Sequence, residues 1–319
     1  MKVLLCGTGD MARSYTTVLC SLPGVSFCVI GSAQEHTRIF AENTGAFSWR
    51  IWSQISRDDV REMSFAILAG SIEDLEKHAH RLIELQVPVI LIEKPVSVFP
   101  SKIDNIAEMA KKHGVRIRVG CNRRYYQSIL GLRRLLIDDS PVASYFDFTE
   151  WIHAVPEKWR SKDPGKHLAL ANSIHVFDTL EYLLGDWNPW YSNIQGQNEI
   201  EWHSSGAIFS GCGQFGSVPA SYQTSWLSPG RWSIDISTRN YKYRLSPMER
   251  LQALAHRTVK WEEVSLDYAL DEQYKPGLHN MLKDFMRWVE CKDEELNLPD
   301  LKSFSATCKA MANIVGYSS

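Results

Sequence analysis

The stretch Gly7-Thr8-Gly9-Asp10-Met11-Ala12 directly follows the apolar run Val3-Leu4-Leu5-Cys6, and it restricts the fold of this chain more than any other segment. A GxGxxG/A turn between a strand and a helix lets the backbone turn tightly and approach a pyrophosphate closely. The small third residue, here Ala12, lets helix and strand pack together, and the helix start offers N–H donors and the positive end of its dipole. Gly7, Thr8, Gly9, Asp10 and Met11 are therefore candidate cofactor contacts. An ordinary βα turn of a flavodoxin-like or methyltransferase domain has the same appearance, and both readings stay open on this motif alone.

The surrounding pattern supplies context. Short β-rich runs at 3–6, 26–30, 65–69, 88–92 and 116–120 alternate with amphipathic stretches at 11–22, 37–44, 72–85 and 101–113. That alternation predicts βαβ units and a parallel sheet. Ile72, Leu75, Ala79, Leu82 and Ile83 recur at helical spacing, a stripe that would cover one sheet face. After Cys121 the texture changes. A helix is predicted at 126–138, and then β-branched and aromatic residues alternate with polar ones at 142–150 and through much of 200–245, interrupted by turn residues such as Ser228-Pro229-Gly230. This predicts an antiparallel sheet, with helices at 171–184, 278–290 and 301–315. The expected class is α/β: a Rossmann doubly wound parallel sheet over 1–121, then an α/β domain with an open, mostly antiparallel sheet over 122–319, holding the substrate and the oligomer contacts.

A length of 319 residues suits two domains, and 44% hydrophobic with 23% charged residues is a globular balance. A formal net charge of -2 leaves no basic excess to displace counterions from a phosphate backbone, so no nucleic-acid partner is expected. The seven cysteines are scattered and never in a CxxC spacing, which points to reduced thiols and to neither a disulfide framework nor a zinc site. No metal site is expected. Gly7 and Asp10 break the first apolar run before a signal-peptide core forms, and no run reaches the length of a membrane span. A cytoplasmic protein with no membrane contact is the expectation.

Cofactor preference turns on the end of the second strand, where an acidic residue normally accepts hydrogen bonds from the ribose of NAD. This chain has Gly31-Ser32-Ala33-Gln34 there. Ser32 can bond a 2′-phosphate without repelling it, and His36 or Arg38 can supply positive charge, so the reading leans to NADP, with NAD as the alternative if Glu35 bends back to the ribose. Ser71, after the third candidate strand, and Glu93, at the end of the fourth, complete the candidate cofactor contacts. Lys94 follows Glu93 at the carboxyl edge of the parallel sheet, the edge where doubly wound folds bind ligands. A solvated lysine before a strand-ending proline is the bland alternative.

The glycine turn, the triplet Glu93-Lys94-Pro95, and Gly120-Cys121-Asn122-Arg123-Arg124 after the fifth candidate strand together resemble the glucose-fructose oxidoreductase, inositol dehydrogenase and rhizopine-catabolism (Gfo/Idh/MocA) family. The resemblance extends to Asn172-Ser173-Ile174-His175-Val176-Phe177-Asp178 and to the closing helices. It implies a Rossmann domain followed by an α/β domain whose open sheet often makes an oligomer interface, hence a homodimer or homotetramer. It also implies oxidation or reduction of sugars, inositols or sugar nucleotides, with Lys94 beside the nicotinamide and His175 on a helix of the second domain. The pattern departs from the family at Ala171, four residues before His175, where an Asp is common. The glycine cluster that usually precedes this helix is reduced to Asp163-Pro164-Gly165-Lys166. The region 151–186 looks most like members from polysaccharide gene clusters.

Hydride transfer at a carbinol carbon must be matched by proton transfer at its oxygen, so such a site needs an acid/base group and a charge stabiliser. His175 and Lys94 are the candidate catalytic pair: the imidazole exchanges the proton and the ammonium stabilises the alkoxide, or a buried lysine titrates low enough to be the base itself. A helix would set Ala171, Asn172, His175, Asp178 and Thr179 on one face. Candidate substrate contacts are Arg123, Tyr125, Trp159, Arg160, Asn172 and Asp178. In the competing reading His175 pairs with Asp178 and does no chemistry. The rival functions are a non-catalytic NADP-binding sensor, which Ala171 favours, and a methyltransferase, which Lys94-Pro95 does not help.

Overall fold

The computed structural model describes residues 1–291 and 295–317. They group into two compact units, one of Met1–Asn122 with Leu270–Ser305, the other of Arg123–Ala269 with Ala306–Ser319.

The first unit is a six-stranded parallel sheet of β1 (Lys2–Cys6), β2 (Ser26–Gly31), β3 (Ser48–Ile51), β4 (Phe65–Leu68), β5 (Val89–Ile92) and β6 (Arg116–Val119), in the order β3-β2-β1-β4-β5-β6. Its central strands carry unbroken apolar runs because helices cover both faces of a parallel sheet, and Val3 to Cys6 and Phe65 to Leu68 are fully buried. The connecting helices are α1 (Asp10–Ser21), α2 (Gln34–Thr44), the single turn α3 (Arg57–Val60), α4 (Ile72–Glu84) and α5 (Pro100–His113). The stripe predicted on α4 is buried at Leu75, Ala79, Leu82 and Ile83. Strand β3 was not predicted. Ser48-Trp49-Arg50-Ile51 is a half-exposed edge strand with no apolar run to betray it.

The second unit begins with α6 (Gln127–Asp138) and is built on an eight-stranded sheet. Its strands are β7 (Ala143–Asp147), β8 (Trp187–Gln195), β9 (Ile208–Phe215), β10 (Val218–Ser225), β11 (Ser233–Ser237), β12 (Tyr241–Leu245), β13 (Gln252–Ala255) and β14 (Trp261–Glu263), in the order β14-β13-β12-β11-β7-β10-β9-β8. All pairings are antiparallel except β7 with β10. Between β7 and β8 come two single turns, α7 (Glu157–Arg160) and α8 (Asp163–Lys166), and the helix α9 (Ile174–Leu184). Alternate residues of the sheet, Phe146, Phe148, Phe209, Phe215 and Tyr222, point to one face, where Phe177 of α9 packs edge-on against Phe215 at 5.3 Å.

Three helices close the chain: α10 (Ala269–Gln273), α11 (Leu278–Glu290) and α12 (Leu301–Val315). The segment Leu270–Ser305 groups with the first unit, whereas the expected second domain ran unbroken from 122 to 319. The cause is apolar. Helix α11 buries Leu278, Met281, Leu282, Phe285 and Trp288, and Phe285 meets Phe65 of β4 at 5.2 Å while Arg116 and Arg118 of β6 lie over the Trp288 ring. Among the described residues no helix is long and apolar enough to cross a membrane.

Candidate functional site

In the first unit the glycine turn sits at the carboxyl end of β1. Gly7 has φ +135°, and a Cβ there would lie 2.2 Å from the carbonyl oxygen of Ala69, so the turn passes too close to the end of β4 for any side chain. Its N–H donates to Ile30 O at 2.8 Å, which ties the turn to β2. Gly9, the N-cap of α1, has ordinary backbone angles, and a Cβ there would meet nothing within 4 Å. The space over the start of α1 is therefore open, and the exposed Gly9 and Asp10 face it together with N–H groups that lack helical partners. Ala12 is fully buried against the sheet. This is a cradle that fits a dinucleotide pyrophosphate.

Thr8 bonds the Nδ1 of His36 through its hydroxyl at 3.0 Å, so these two residues meet beside the turn. Arg38 is placed differently from the expectation. Its guanidinium is held by Glu35 at 2.7 Å and Glu42 at 2.6 Å, one turn away on either side along α2, and these carboxylates raise its pKa further. Ser32 is exposed and lines a cavity of about 970 Å³ with Trp52, His78, Lys77 and Arg81. Trp52 and His78 stack at 4.0 Å with nearly parallel rings. Ser71 is the N-cap of α4 and donates to Asp74 at 2.6 Å.

Glu93 is buried at the end of β5, where its carboxylate accepts from Tyr15 at 2.6 Å. A side chain at Gly120 would crowd this pair, its Cβ 3.2 Å from the Glu93 carboxylate and 3.3 Å from the Tyr15 hydroxyl. Burial first, and then the Glu93 charge, push the Tyr15 phenol well above its ordinary pKa, which keeps it a donor. Glu93 thus anchors the triplet inward. Lys94 is half-buried, its bond to Pro95 is cis, and the next residue, the fully buried Val96, has φ 67°. A β-branched residue held in the left-handed region costs on the order of 1–3 kcal/mol. Here the bond from Val96 N–H to Glu93 O closes the turn.

In the second unit His175 lies in the first turn of α9, 3% exposed, its ring 6.1 Å from that of Trp232. The predicted single helix over 171–184 is not one regular helix. Residues Ala169–Ser173 form a π turn, and the α-helix starts at Ile174. The extra residue per turn breaks the register assumed between Ala171 and His175, and such insertions recur at functional sites. Ala171 is fully buried and contributes only a methyl group.

A buried carboxylate does lie against this turn. Glu150, at the end of the segment after β7, accepts from Asn172 Nδ2 at 2.9 Å and from the Ser173 hydroxyl, and lies 3.6 Å from Arg231. Asp178 is committed elsewhere: it is 1% exposed and takes three hydrogen bonds from Arg124, the shortest 2.6 Å. Tyr125 is buried. Arg160 donates to the carbonyls of Val155 and His153, which spends its guanidinium on its own loop. Trp159 is half-buried on α7, and its carbonyl oxygen would be 2.3 Å from a Cβ at Gly165, so the one glycine left of the expected cluster lets α7 and α8 pack. Arg123 lies 4.7 Å over Trp232. Lys94 and His175 belong to different units, whereas Arg123, Asn172, His175 and Trp232 are all in the second.

Sequence reasoning missed Glu150, Arg231 and the bond of Tyr15 to Glu93. The Glu150-Trp151 pair after β7 and the Arg231-Trp232 pair after Ser228-Pro229-Gly230 were the visible signal: each couples a charge to an indole at a sheet end. Among the described residues no group of three or more side chains is arranged to hold a metal ion.

Residues 1–121 match the model of the Gfo/Idh/MocA oxidoreductase family, NAD-binding Rossmann fold. No curated protein sequence matches the chain. Among solved structures, an oxidoreductase from Agrobacterium radiobacter in complex with NAD+, L-tartaric acid and magnesium aligns with a TM-score of 0.81 at 12% identity, covering 99% of this chain and 96% of that one. The UDP-N-acetylglucosamine 3-dehydrogenase GnnA from Acidithiobacillus ferrooxidans aligns at 0.76 and 15% identity, covering 99% and 97%. A Gfo/Idh/MocA family oxidoreductase from Vibrio cholerae aligns at 0.74 and 15% identity, covering 99% and 96%. At these identities the likeness is one of fold.

Proposed function

We propose that this chain, whose residues 1–121 match the model of the Gfo/Idh/MocA oxidoreductase family, NAD-binding Rossmann fold, is an NAD(P)-dependent dehydrogenase or reductase. Its proposed substrate is a sugar, sugar nucleotide or related polyol, acted on at a carbinol or carbonyl carbon. The observation that carries the reading is the cradle at Gly7 and Gly9 combined with the strained turn that presents Lys94 at the carboxyl edge of the same sheet. The solved structures of similar fold include proteins described as binding NAD+ with L-tartaric acid and as oxidising UDP-N-acetylglucosamine, which supports a polyhydroxylated substrate.

Gly7, Thr8, Gly9, Asp10 and Met11 hold the pyrophosphate, with Ser32 and the cavity beside Trp52 and His78 on the adenosine side. Nicotinamide, when bound, supplies the hydride donor or acceptor. Lys94 stabilises negative charge on the substrate oxygen, and His175 exchanges the proton there. Glu93 and Tyr15 hold the Lys94 turn from behind, and Asn172, fixed by Glu150, orients the start of α9. NADP is favoured over NAD because no acid ends β2, although Arg38 must give up a carboxylate to help, which leaves Ser32 and His36 as the nearer groups. The enzyme is proposed as cytosolic, assembling as a homodimer or homotetramer through the second sheet.

The test is spectrophotometric. Protein mixed with NADPH or NADH and a panel of oxo-sugars is expected to consume reduced cofactor, and His175→Asn is expected to lower kcat at least 100-fold while leaving dinucleotide affinity within about threefold. Ala171, with no carboxylate, favours a second reading, a sensor that binds dinucleotide without chemistry. Tight NADPH binding with no turnover on any compound selects the sensor, and unchanged turnover in His175→Asn removes the imidazole from the mechanism.

A further inference from the structure

In the second unit two guanidinium groups share one indole. Arg123 lies 4.7 Å from the ring centroid of Trp232 and Arg231 lies 4.6 Å from it, with Arg231 also 4.7 Å from the ring of Trp151. Two positive charges so placed repel, and a folded protein normally sets an acid between them. The acids nearby are Glu150, which lies on the Arg231 side and already accepts from Asn172 and Ser173, and Glu249, which acts on Arg123 through its charge without forming an ion pair. Arg123 forms no ion pair among the described residues, and its Nε is shut off from solvent without a hydrogen-bond partner. The indole Nε1 of Trp232 is likewise buried and unpartnered. Buried donors without acceptors are uncommon and costly, and two on adjoining side chains call for an explanation. Burial also pushes the Arg123 pKa down, and the charges of Glu249 and Glu150 oppose that shift without cancelling it.

We propose that this cluster is an anion subsite: Arg123, with Trp232 and Arg231, receives a carboxylate or phosphate carried by the sugar-like substrate. The identity of the bound molecule as substrate rests on the oxidoreductase reading above; the anion site rests on the unsatisfied donors. A planar guanidinium fork accepts an oxyanion through paired N–H donors, and Trp151, 49% exposed, offers an indole face for a sugar ring. The His175 ring, 6.1 Å from that of Trp232, places the proposed acid/base group beside the same cluster. Arg123 thereby becomes the specificity-determining residue that separates acidic from neutral sugars.

The full chain is titrated with D-glucuronate, D-glucose 6-phosphate and D-glucose, by calorimetry and tryptophan fluorescence, without turnover. At least one anionic sugar is expected to bind 10-fold or more tightly than glucose, and the arm that does so identifies carboxylate or phosphate. Arg123→Met is expected to erase that advantage, Arg123→Lys to restore part of it, and Arg231→Met to weaken it, with circular dichroism and NADPH binding checking that each variant is folded. Equal binding of all three sugars, no binding of any, or an advantage that survives both methionine variants overturns the proposal. Because these readouts need no chemistry, anion binding without turnover fails only the oxidoreductase reading, and turnover of neutral sugars without an anion preference fails only this one.

Discussion

Replacing Asp178 separates a residue that builds the site from one that touches substrate. Its carboxylate is 1% exposed and takes three hydrogen bonds from the Arg124 guanidinium, itself 12% exposed. Removing one member of a buried pair typically costs about 3–5 kcal/mol, because the survivor keeps its charge and loses its compensation. Asp178→Asn keeps the shape and one acceptor but removes the charge, so a loss of about 3 kcal/mol is expected, at the low end because Arg124 retains some contact with water. Asp178→Ala should cost about 4 kcal/mol. The double variant Arg124→Met, Asp178→Leu should recover more than half of that loss, since two apolar side chains leave no orphaned charge, and the coupling between the sites should be about 1–3 kcal/mol. Urea unfolding followed by tryptophan fluorescence reads this directly, because eight of the eleven tryptophans lie in Arg123–Ala269. Folded Asp178→Asn should keep KM for substrate within about threefold of the parent. Unchanged stability together with a large rise in KM would refute the reasoning and make Asp178 a substrate ligand.

Gly7→Ala should destabilise by at least about 3 kcal/mol, since φ +135° and a Cβ 2.2 Å from the Ala69 carbonyl are both intolerable, whereas Gly9→Ala should unfold within about 1 kcal/mol of the parent and lose at least 10-fold in dinucleotide affinity; fluorescence titration beside thermal melts checks both. Two buried groups should oppose each other in pH dependence. Burial holds His203 down at about 4 from 6.5, so the unfolded chain takes up a proton that the folded one refuses and stability rises with pH across that window. Burial lifts Glu181 from 4.5 to about 7, against bonds from Thr307 and Trp187, so the folded chain keeps a proton that the unfolded one releases and stability falls as pH rises through that range. Each amounts to roughly 3 kcal/mol, so relative to the parent His203→Gln should lose stability from pH 5 to 7 and Glu181→Gln should gain it; parallel slopes in the two variants, measured by urea unfolding at several pH values, would contradict the assignment.

Much of the first unit was legible because β1, β2, β4 and β5 are largely buried apolar runs and its helices carry one-sided stripes, as α4 does. The glycine turn was legible because steric demand at Gly7 admits one residue type. What escaped was set by contacts distant in sequence. Asp178 meets Arg124 across 54 positions, and nothing in the spacing from Asp178 to His175 distinguishes that bond from an intrahelical one. Leu270–Ser305 rejoins the first unit because α11 presents an apolar face that fits α1 and β4, a match of surfaces no periodicity reveals. Arg38 is the opposite case: Glu35 and Glu42 stand three residues before it and four after, the helical pairing distances, so its commitment to them was readable from the sequence.

Three of the places where local rules break lie at the candidate site. Val96 is held at φ 67° beside Lys94, a π turn interrupts the helix that carries His175, and Arg123 and Trp232 bury donors without acceptors, as Ser144 and Trp187 of the second sheet also do. Each departure costs free energy that the surrounding structure offsets. Tyr317 shows how the second is held: its hydroxyl accepts from Ala169 N–H at 3.0 Å and donates to His203 Nε2 at 2.7 Å, an orientation fixed because His203 Nδ1 faces the Gly206 carbonyl, which can only accept. A neutral His203 is therefore required to pin the π turn from the chain's far end. Strain maintained by such dedicated contacts is what a preorganised site requires and a merely structural helix does not, so Tyr317→Phe should disturb turnover through the proposed His175 more than its loss of these two hydrogen bonds disturbs stability.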